Sequence, residues 1–487
     1  MTGAPRRAPA RPAATAPAAA RTDRGARPFS WRFTAPLLLG ASLNPVNSSL
    51  LATALTPIAA SLGVPVGRVA VLVAALYLAS AIAQPTAGKA AEEFGPRRVF
   101  LTGAALVVAG GTVGALGQDL PTLVTARVLI GVGTSAAYPT AMLLIRRRAT
   151  DAGLAEPPGR VLGALSVAGQ ATLALGLPAG GLLVGAAGWR WTFLASVPFA
   201  LAALAMTWAW IPRDPPVARR GSAREVLARL DAAGIAGFGG AMTALLVFLM
   251  ALPEPAWAAL ALAAVLAAAL TAWELRARAP FLDVRLLASN MPLVRTYLRV
   301  ALTQLGVYTV MYGVTQWLEA GRGLSAEQAG LLVLPMSGLA VLVTRPVARR
   351  NMLRGALVAA AAASLAGSAG MLLLGTSAPV VAVVGVTLAF GVTVGTQSAG
   401  NQTALYLQAP AGRIGTAAGL FRTFAYTGSI ASSTLTGVVF QDEVTDAGLH
   451  TIAVVLIAVS AVVLLMVLTD RALRKDPTHR PRKETPS

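Results

Sequence analysis

The sequence predicts an all-α integral membrane protein with fourteen transmembrane helices. Three observations predict it. Of the 487 residues, 55% are hydrophobic and only 12% are charged, too few charges to cover a soluble domain of this length. Apolar stretches of about 20 residues or more recur along nearly the whole chain. The arginines fall in alternate loops between those stretches.

In chain order, residues 1–32 are rich in Pro, Ala and Arg and read as a disordered basic tail. They are not a cleavable signal, because the apolar stretch behind them is long enough to span a bilayer. Fourteen spans then run over about 34–61, 68–89, 98–117, 122–145, 160–186, 190–211, 232–252, 255–273, 293–318, 325–345, 355–375, 378–406, 414–440 and 449–469. Short segments bearing Gly, Pro or charge separate them, as at 63–67, 92–98, 117–121 and 409–413. Residues 471–487 form a second polar tail.

Orientation follows from the arginines. With the N-terminus inside, the inner loops hold Arg97 and Arg98, Arg146, Arg147 and Arg148, Arg213 through Arg229, Arg276, Arg278 and Arg285, Arg345 through Arg354, and Arg413. The outer loops hold only Arg68, Arg190 and Arg322, beside Asp119, Glu254, Glu319, Glu327, Asp442, Glu443 and Asp446. One omitted helix would invert the pattern from that point on, so the asymmetry supports the count. Both termini are expected in the cytoplasm of a cell exposing this protein in its plasma membrane. The net charge of +20 would point to nucleic acid on a soluble chain; here it is a topology signal, and no nucleic-acid partner is expected.

There is no cysteine, and the two histidines, His450 and His479, lie far apart in polar segments. No metal site and no cofactor are expected. No acid–base cluster and no sizeable soluble domain stand out, which argues against an enzyme.

Polar residues inside a span are functional candidates. Arg127, Arg299 and Arg422 lie deep in spans 4, 9 and 13, with no Asp or Glu comparably deep. Arg299 could snorkel to the cytoplasmic surface. Gln304, Tyr308, Tyr312 and Gln316 repeat every four residues on span 9. Asn44, Asn47 and Ser48 share a face of span 1, Gln397 and Asn401 a face of span 12, and Arg422 and Tyr426 a face of span 13. Gln170 stands alone in span 5, and Tyr138 lies in span 4. Together they read as the lining of a polar cavity, with interhelical hydrogen bonding as the alternative. Gly176, Gly180, Gly181 and Gly185 on span 5, and Gly391 and Gly395 on span 12, give spacings that let backbones approach closely. Pro45, Pro57, Pro85, Pro139, Pro178, Pro198 and Pro335 permit bends.

Several motifs are recognisable. The loop Gly88-Lys-Ala-Ala-Glu92-Glu93-Phe-Gly95-Pro-Arg97-Arg98 resembles the signature loop of the major facilitator superfamily. Arg127-Val-Leu-Ile-Gly131-Val-Gly133 resembles the family's span 4 motif, and Gly176-Leu-Pro178-Ala-Gly180-Gly181 is similar to its antiporter motif. Trp189-Arg190-Trp191, Ala279-Pro280-Phe281-Leu282-Asp283 and Gly323-Leu-Ser325 are similar to sequences of the fourteen-helix drug:proton antiporter branch. The resemblance covers about residues 34–470.

It implies two pseudo-symmetric six-helix bundles, 33–212 and 291–470, with two linker helices and basic loops inserted over 213–290. Spans 1, 4, 9 and 12 would face a central cavity. Glu92, Arg97 and Arg98 would belong to a cytoplasmic gate. The chain also departs from the pattern. Glu92 and Glu93 replace Asp and Arg, Pro178 is shifted by one, Arg422 stands where Asn is common, and Asn47 occupies the position of an acid in span 1. Asn cannot titrate, so the candidates for proton coupling become Glu92, Glu93, Asp119 and Glu319.

The expected function is proton-linked export of small, largely apolar, neutral or anionic compounds by alternating access, as a monomer in the lipid bilayer. Alternatives are an importer on the same fold, or a non-transporting sensor or enzyme.

Overall fold

The structure, a computed structural model, describes residues 28–52, 54–64, 69, 71–154, 156–215, 222–252, 254–277, 280–324, 326–349, 352–440 and 443–474. Most of both tails, together with Arg68, Arg219, Arg220, Arg278 and Asp442, lies outside the described residues. Among those described there is no β-strand.

The first stretch is α1 (Trp31–Ala52) followed by α2 (Leu55–Leu62), so helix begins inside the segment expected to be tail. Next come α3 (Val71–Phe94), α4 (Pro96–Leu116), α5 (Leu120–Ser135), α6 (Ala137–Asp151), α7 (Gly159–Ala187), α8 (Arg190–Leu194) and α9 (Ser196–Trp210). A short helix, α10 (Ala223–Leu230), starts at a Ser222 cap whose hydroxyl accepts from the Glu225 backbone N–H. It precedes the apolar pair α11 (Ala232–Met250) and α12 (Trp257–Glu274). After α13 (Val284–Ser289), α14 (Met291–Thr309) runs on through two π-helical turns, Val310–Val314 and Trp317–Gly321. The remainder is α15 (Ala326–Arg349), α16 (Arg354–Met371), α17 (Val380–Gln408), α18 (Ile414–Val439) and α19 (Asp446–Thr469). Among the described residues, nine helical segments are long and apolar enough to cross a membrane.

The prolines divide into two sets. Helices α2, α6 and α9 each start after an alanine, Ala54, Ala136 or Ala195, and each has proline as its third residue: Pro57, Pro139 or Pro198. Proline supplies no N–H to the carbonyl four residues back and crowds it, so the ladder breaks there. Pro36, Pro45, Pro85, Pro335 and Pro346 lie inside uninterrupted helices. Interruption at the first set is a property of the surroundings, since the residue type is the same.

Two groups of helices pack against each other through two long contacts, α3 with α18 and α7 with α15. The pair α11 and α12 packs together, and α11 also touches α3 and α18. One buried apolar cluster draws on both groups, with Phe33, Leu37, Ala91 and Phe100 meeting Tyr297, Leu405, Ile414 and Phe421. Two other clusters stay within one group each. Leu51, Leu72, Ile130 and Phe193 form one, and Val310, Trp317, Phe390 and Leu449 the other. The groups are therefore joined at the end where α3 stops and α18 starts.

In hydrocarbon, apolar side chains gain little by meeting one another, and close backbone packing carries more of the association. Gly88 has its Cβ position filled by the Gly415 carbonyl of the other group. On α17, a Cβ at Gly391 would stand 2.7 Å from the Met336 carbonyl oxygen and one at Gly395 2.6 Å from that of Ala340. The glycine seam expected on α7 is shorter: Gly176 closes on Ser49 of α1 and Gly180 is buried, but Gly181 and Gly185 meet no neighbour within 4 Å.

Candidate functional site

Between the two groups lies a cavity of about 170 Å³. Asn44, Tyr138, Gln170, Gln304, Tyr308, Gln397, Arg422 and Tyr426 all line it. Four other residues singled out in the sequence do not. Asn47 and Arg127 lie behind the wall of the first group, Asn401 lies behind that of the second, and Tyr312 is exposed. Tyr312 packs against Tyr308 with ring centroids 5.7 Å apart and planes tilted by 42°. It follows the start of the first π turn, where the α-helical phase that placed Tyr308 on the wall is lost.

Tyr77, Ser166 and Gln402 also line the cavity and were not singled out. Their helical spacing could have found them. Tyr77, Ser80 and Gln84 share one face of α3, and Ser166 lies four residues before Gln170.

Hydrogen bonds across the groups close the floor. The Tyr426 hydroxyl donates to Asn44 Oδ1 at 2.8 Å and accepts from Gln84 Nε2 at 3.2 Å. Asn44 Nδ2 donates to Ser80 and Thr134 at 3.2 and 3.0 Å. The Ser166 hydroxyl donates to Gln402 Oε1.

The wall on the second group is ordered by a directional chain. Arg299 Nε donates to Asn401 Oδ1 at 2.7 Å, Asn401 Nδ2 to Gln397 Oε1 at 3.1 Å, and Gln397 Nε2 to Gln304 Oε1 at 3.0 Å. A guanidinium has no acceptor, so each amide in turn must accept toward Arg299 and donate away from it. The group left facing the cavity is the Gln304 amide N–H₂. Arg299 does not snorkel. It is 1% exposed, and its partner is Asp470, brought 3.9 Å away by the end of α19, with Arg295 on the other carboxylate oxygen at 3.4 Å. The acid that meets Arg299 comes from the end of a helix rather than from within a span.

Arg127 is buried differently. Its Nε donates to the Leu72 carbonyl at 3.3 Å, and its two terminal nitrogens donate to the Asn47 carbonyl at 3.3 and 3.2 Å. Asn47 Nδ2 turns back to the Leu43 carbonyl at 2.8 Å.

At the joined end, the Glu92 carboxylate crosses between the groups. It accepts from the Thr416 backbone N–H at 2.8 Å and from the Thr416 hydroxyl at 3.0 Å, in the first turn of α18. An anion at a helix N-terminus satisfies free donors and the helix dipole together. Glu93 is exposed. Arg97 stays within its own group, donating to the Trp208 carbonyl at 2.8 Å. Arg98 and Arg97 offer their backbone N–H groups to Asp214 at 2.8 and 3.3 Å. Gly95 makes this possible, with φ of +101° and the Asp214 carboxylate packed where a Cβ would be. Asp119 caps α5 by accepting from Thr122 N–H at 2.8 Å, and that bond holds its carboxyl below the usual carboxylate range. Glu319 is exposed on the second π turn. Of the antiporter-type motif, Pro178 lies within α7, and its side chain is outside those described.

A helical membrane protein holding a polar cavity between two groups of helices, latched at one end, has the architecture of a transporter. The comparisons with known proteins agree. The Major Facilitator Superfamily profile matches residues 37–433. An uncharacterized MFS-type transporter of Bacillus subtilis, YwoD, is 30% identical over 91% of this chain and 97% of its own. The tetracenomycin C resistance and export protein of Streptomyces glaucescens is 29% identical over 66% of this chain and 59% of its own. The human organic anion transporter MFSD10 superposes with a TM-score of 0.61 at 17% identity, covering 90% of this chain and 99% of that one, a likeness of fold. This chain belongs to the major facilitator superfamily; it is a multi-pass membrane transporter and not an enzyme.

Proposed function

We propose that the protein exports small, largely apolar, neutral or anionic compounds across the plasma membrane by alternating access, driven by protons. The cavity between the two groups carries this reading. Its wall is mostly aromatic, aliphatic and amide, and Arg422 is the one charged residue among those lining it. A cation would meet a like charge there with no carboxylate to offset it. The resistance and export named for the Streptomyces glaucescens relative supports the direction.

In this reading the chain has fourteen spans, with bundles over 33–212 and 291–470, and both termini cytoplasmic. The Glu92 end is then the inner gate, and the structure corresponds to the outward-facing state. Glu92 is the coupling acid we favour, because its carboxylate bonds across the groups and must let go when they part. Asp119 serves α5 as a cap instead.

The test is export from everted vesicles under an imposed proton gradient, over a panel of chemically varied antibiotics and aromatic acids. Accumulation that collapses with a protonophore supports the reading. Accumulation only in right-side-out vesicles would make the protein an importer.

A further inference from the structure

We propose that Arg422, Gln402 and Tyr138 form an oxyanion subsite, and that the substrates are aromatic compounds bearing a carboxylate or phenolate. This rests on the reading of the cavity as the substrate site. Three polar atoms carry it. Arg422 Nε, Gln402 Nε2 and the Tyr138 hydroxyl are all buried, and none finds a hydrogen-bond partner outside this trio. All three residues line the one cavity.

Their neighbours leave them little freedom. The Arg422 guanidinium lies 5.2 Å from the Tyr138 ring centroid and 5.7 Å from that of Tyr426. Aromatic faces attract the flat side of a guanidinium, so its N–H edge is the part left to bind a ligand. Gln402 Oε1 already accepts from Ser166, which leaves its amide nitrogen as the unused group. The Tyr138 hydroxyl is adjacent to Gln402. Gln304 presents a further N–H₂ group from the Arg299 chain.

Arginine and an amide nitrogen can only donate. Buried donors without acceptors are unfavourable, and an oxyanion is the ligand group that satisfies several at once, most strongly where one donor is charged. An ammonium or a hydroxyl-free hydrocarbon satisfies none of them. The body of the ligand is set by the rings. Tyr138 and Phe421 stack at 6.5 Å with planes 21° apart, and Tyr308 and Tyr426 face the same space. Such walls favour a flat aromatic frame.

The experiment uses the full-length protein in detergent and two probes of equal shape, 2-naphthoate and 2-naphthamide, with affinity read by titration calorimetry. Wild type is expected to prefer naphthoate by about tenfold or more, the scale of a charge-assisted hydrogen bond. Arg422→Gln should abolish the preference for naphthoate over naphthamide. Gln402→Leu, a gentler change, should reduce the preference severalfold, and it serves as the test should Arg422→Gln not fold. Equal affinity for the two probes, no binding of naphthoate, or a preference unchanged in these variants overturns the subsite. Binding needs no gradient and has no direction. Selective binding without export would therefore sink the export reading and leave the subsite standing.

Discussion

Arg127 and Arg422 are the same side chain, each about two turns into its helix, α5 or α18, yet they are treated differently. Arg127 has its N–H groups absorbed by the carbonyls of Leu72 and Asn47, behind the cavity wall. Arg422 is on the wall, and its Nε has no protein acceptor. A buried charge whose donors are satisfied by backbone holds helices together; one whose donors are left open to a cavity is arranged for something else. Position along the helix does not separate the two roles, and hydrogen-bond satisfaction does.

The comparison is most exposed at Arg127. Arg127→Leu should lower stability by about 2–4 kcal/mol, because it strands two carbonyls that pack against it. Thermal unfolding in detergent would read this, and Arg422→Gln should shift the same transition much less. An equal loss in both variants would remove the distinction.

The next effect concerns the latch. Glu92→Gln keeps the shape but loses the charge facing the first turn of α18, so the joined end should open more readily, by several-fold in equilibrium. Gly88→Val should act in the same direction through bulk, since the Gly415 carbonyl fills its Cβ position. Cysteine cross-linking between α3 and α18 would report both. If Glu92 is the coupling acid, Glu92→Gln also flattens the pH dependence of export.

The smallest effects are expected at Asn47 and Asp119. Asn47→Asp should add pH dependence to export, because it puts a titratable carboxyl on the buried residue whose backbone carbonyl holds Arg127. Asp119→Asn should not change the pH profile. The cap at Asp119 lowers its proton affinity, so the carboxylate is charged near neutral pH and its stabilisation is lost only in acid. A changed profile in Asp119→Asn would return this residue to the list of coupling acids.

The helices were legible in the sequence because long apolar stretches have few other fates; nine described segments are long and apolar enough to cross a membrane, while α10 and α13 lie outside the expected stretches. The cavity was legible where two polar residues repeat at helical spacing, as with Gln304 and Tyr308. It was missed at Gln402, which lies one residue past Asn401 and so on a neighbouring face of α17. Asn401 itself turned out to lie behind the wall. Local spacing cannot decide which side of a polar stripe faces open space, because that depends on the helices packed around it. Nor could it pair Arg299 with Asp470, which arrives from the far end of the chain. Which prolines interrupt their helices was equally a matter of surroundings.

The amide chain that starts at Arg299 has a consequence for how such a protein changes its diet. Every amide from Asn401 to Gln304 takes its orientation from a donor-only group outside the cavity. Replace that donor with an acceptor, as in Arg299→Glu, and each amide is free to turn over, so that Gln304 shows a carbonyl to the substrate. The preference of one wall would reverse from acceptors to donors with no lining residue altered. Selectivity in this transporter can then drift through substitutions that an inspection of the cavity would pass over.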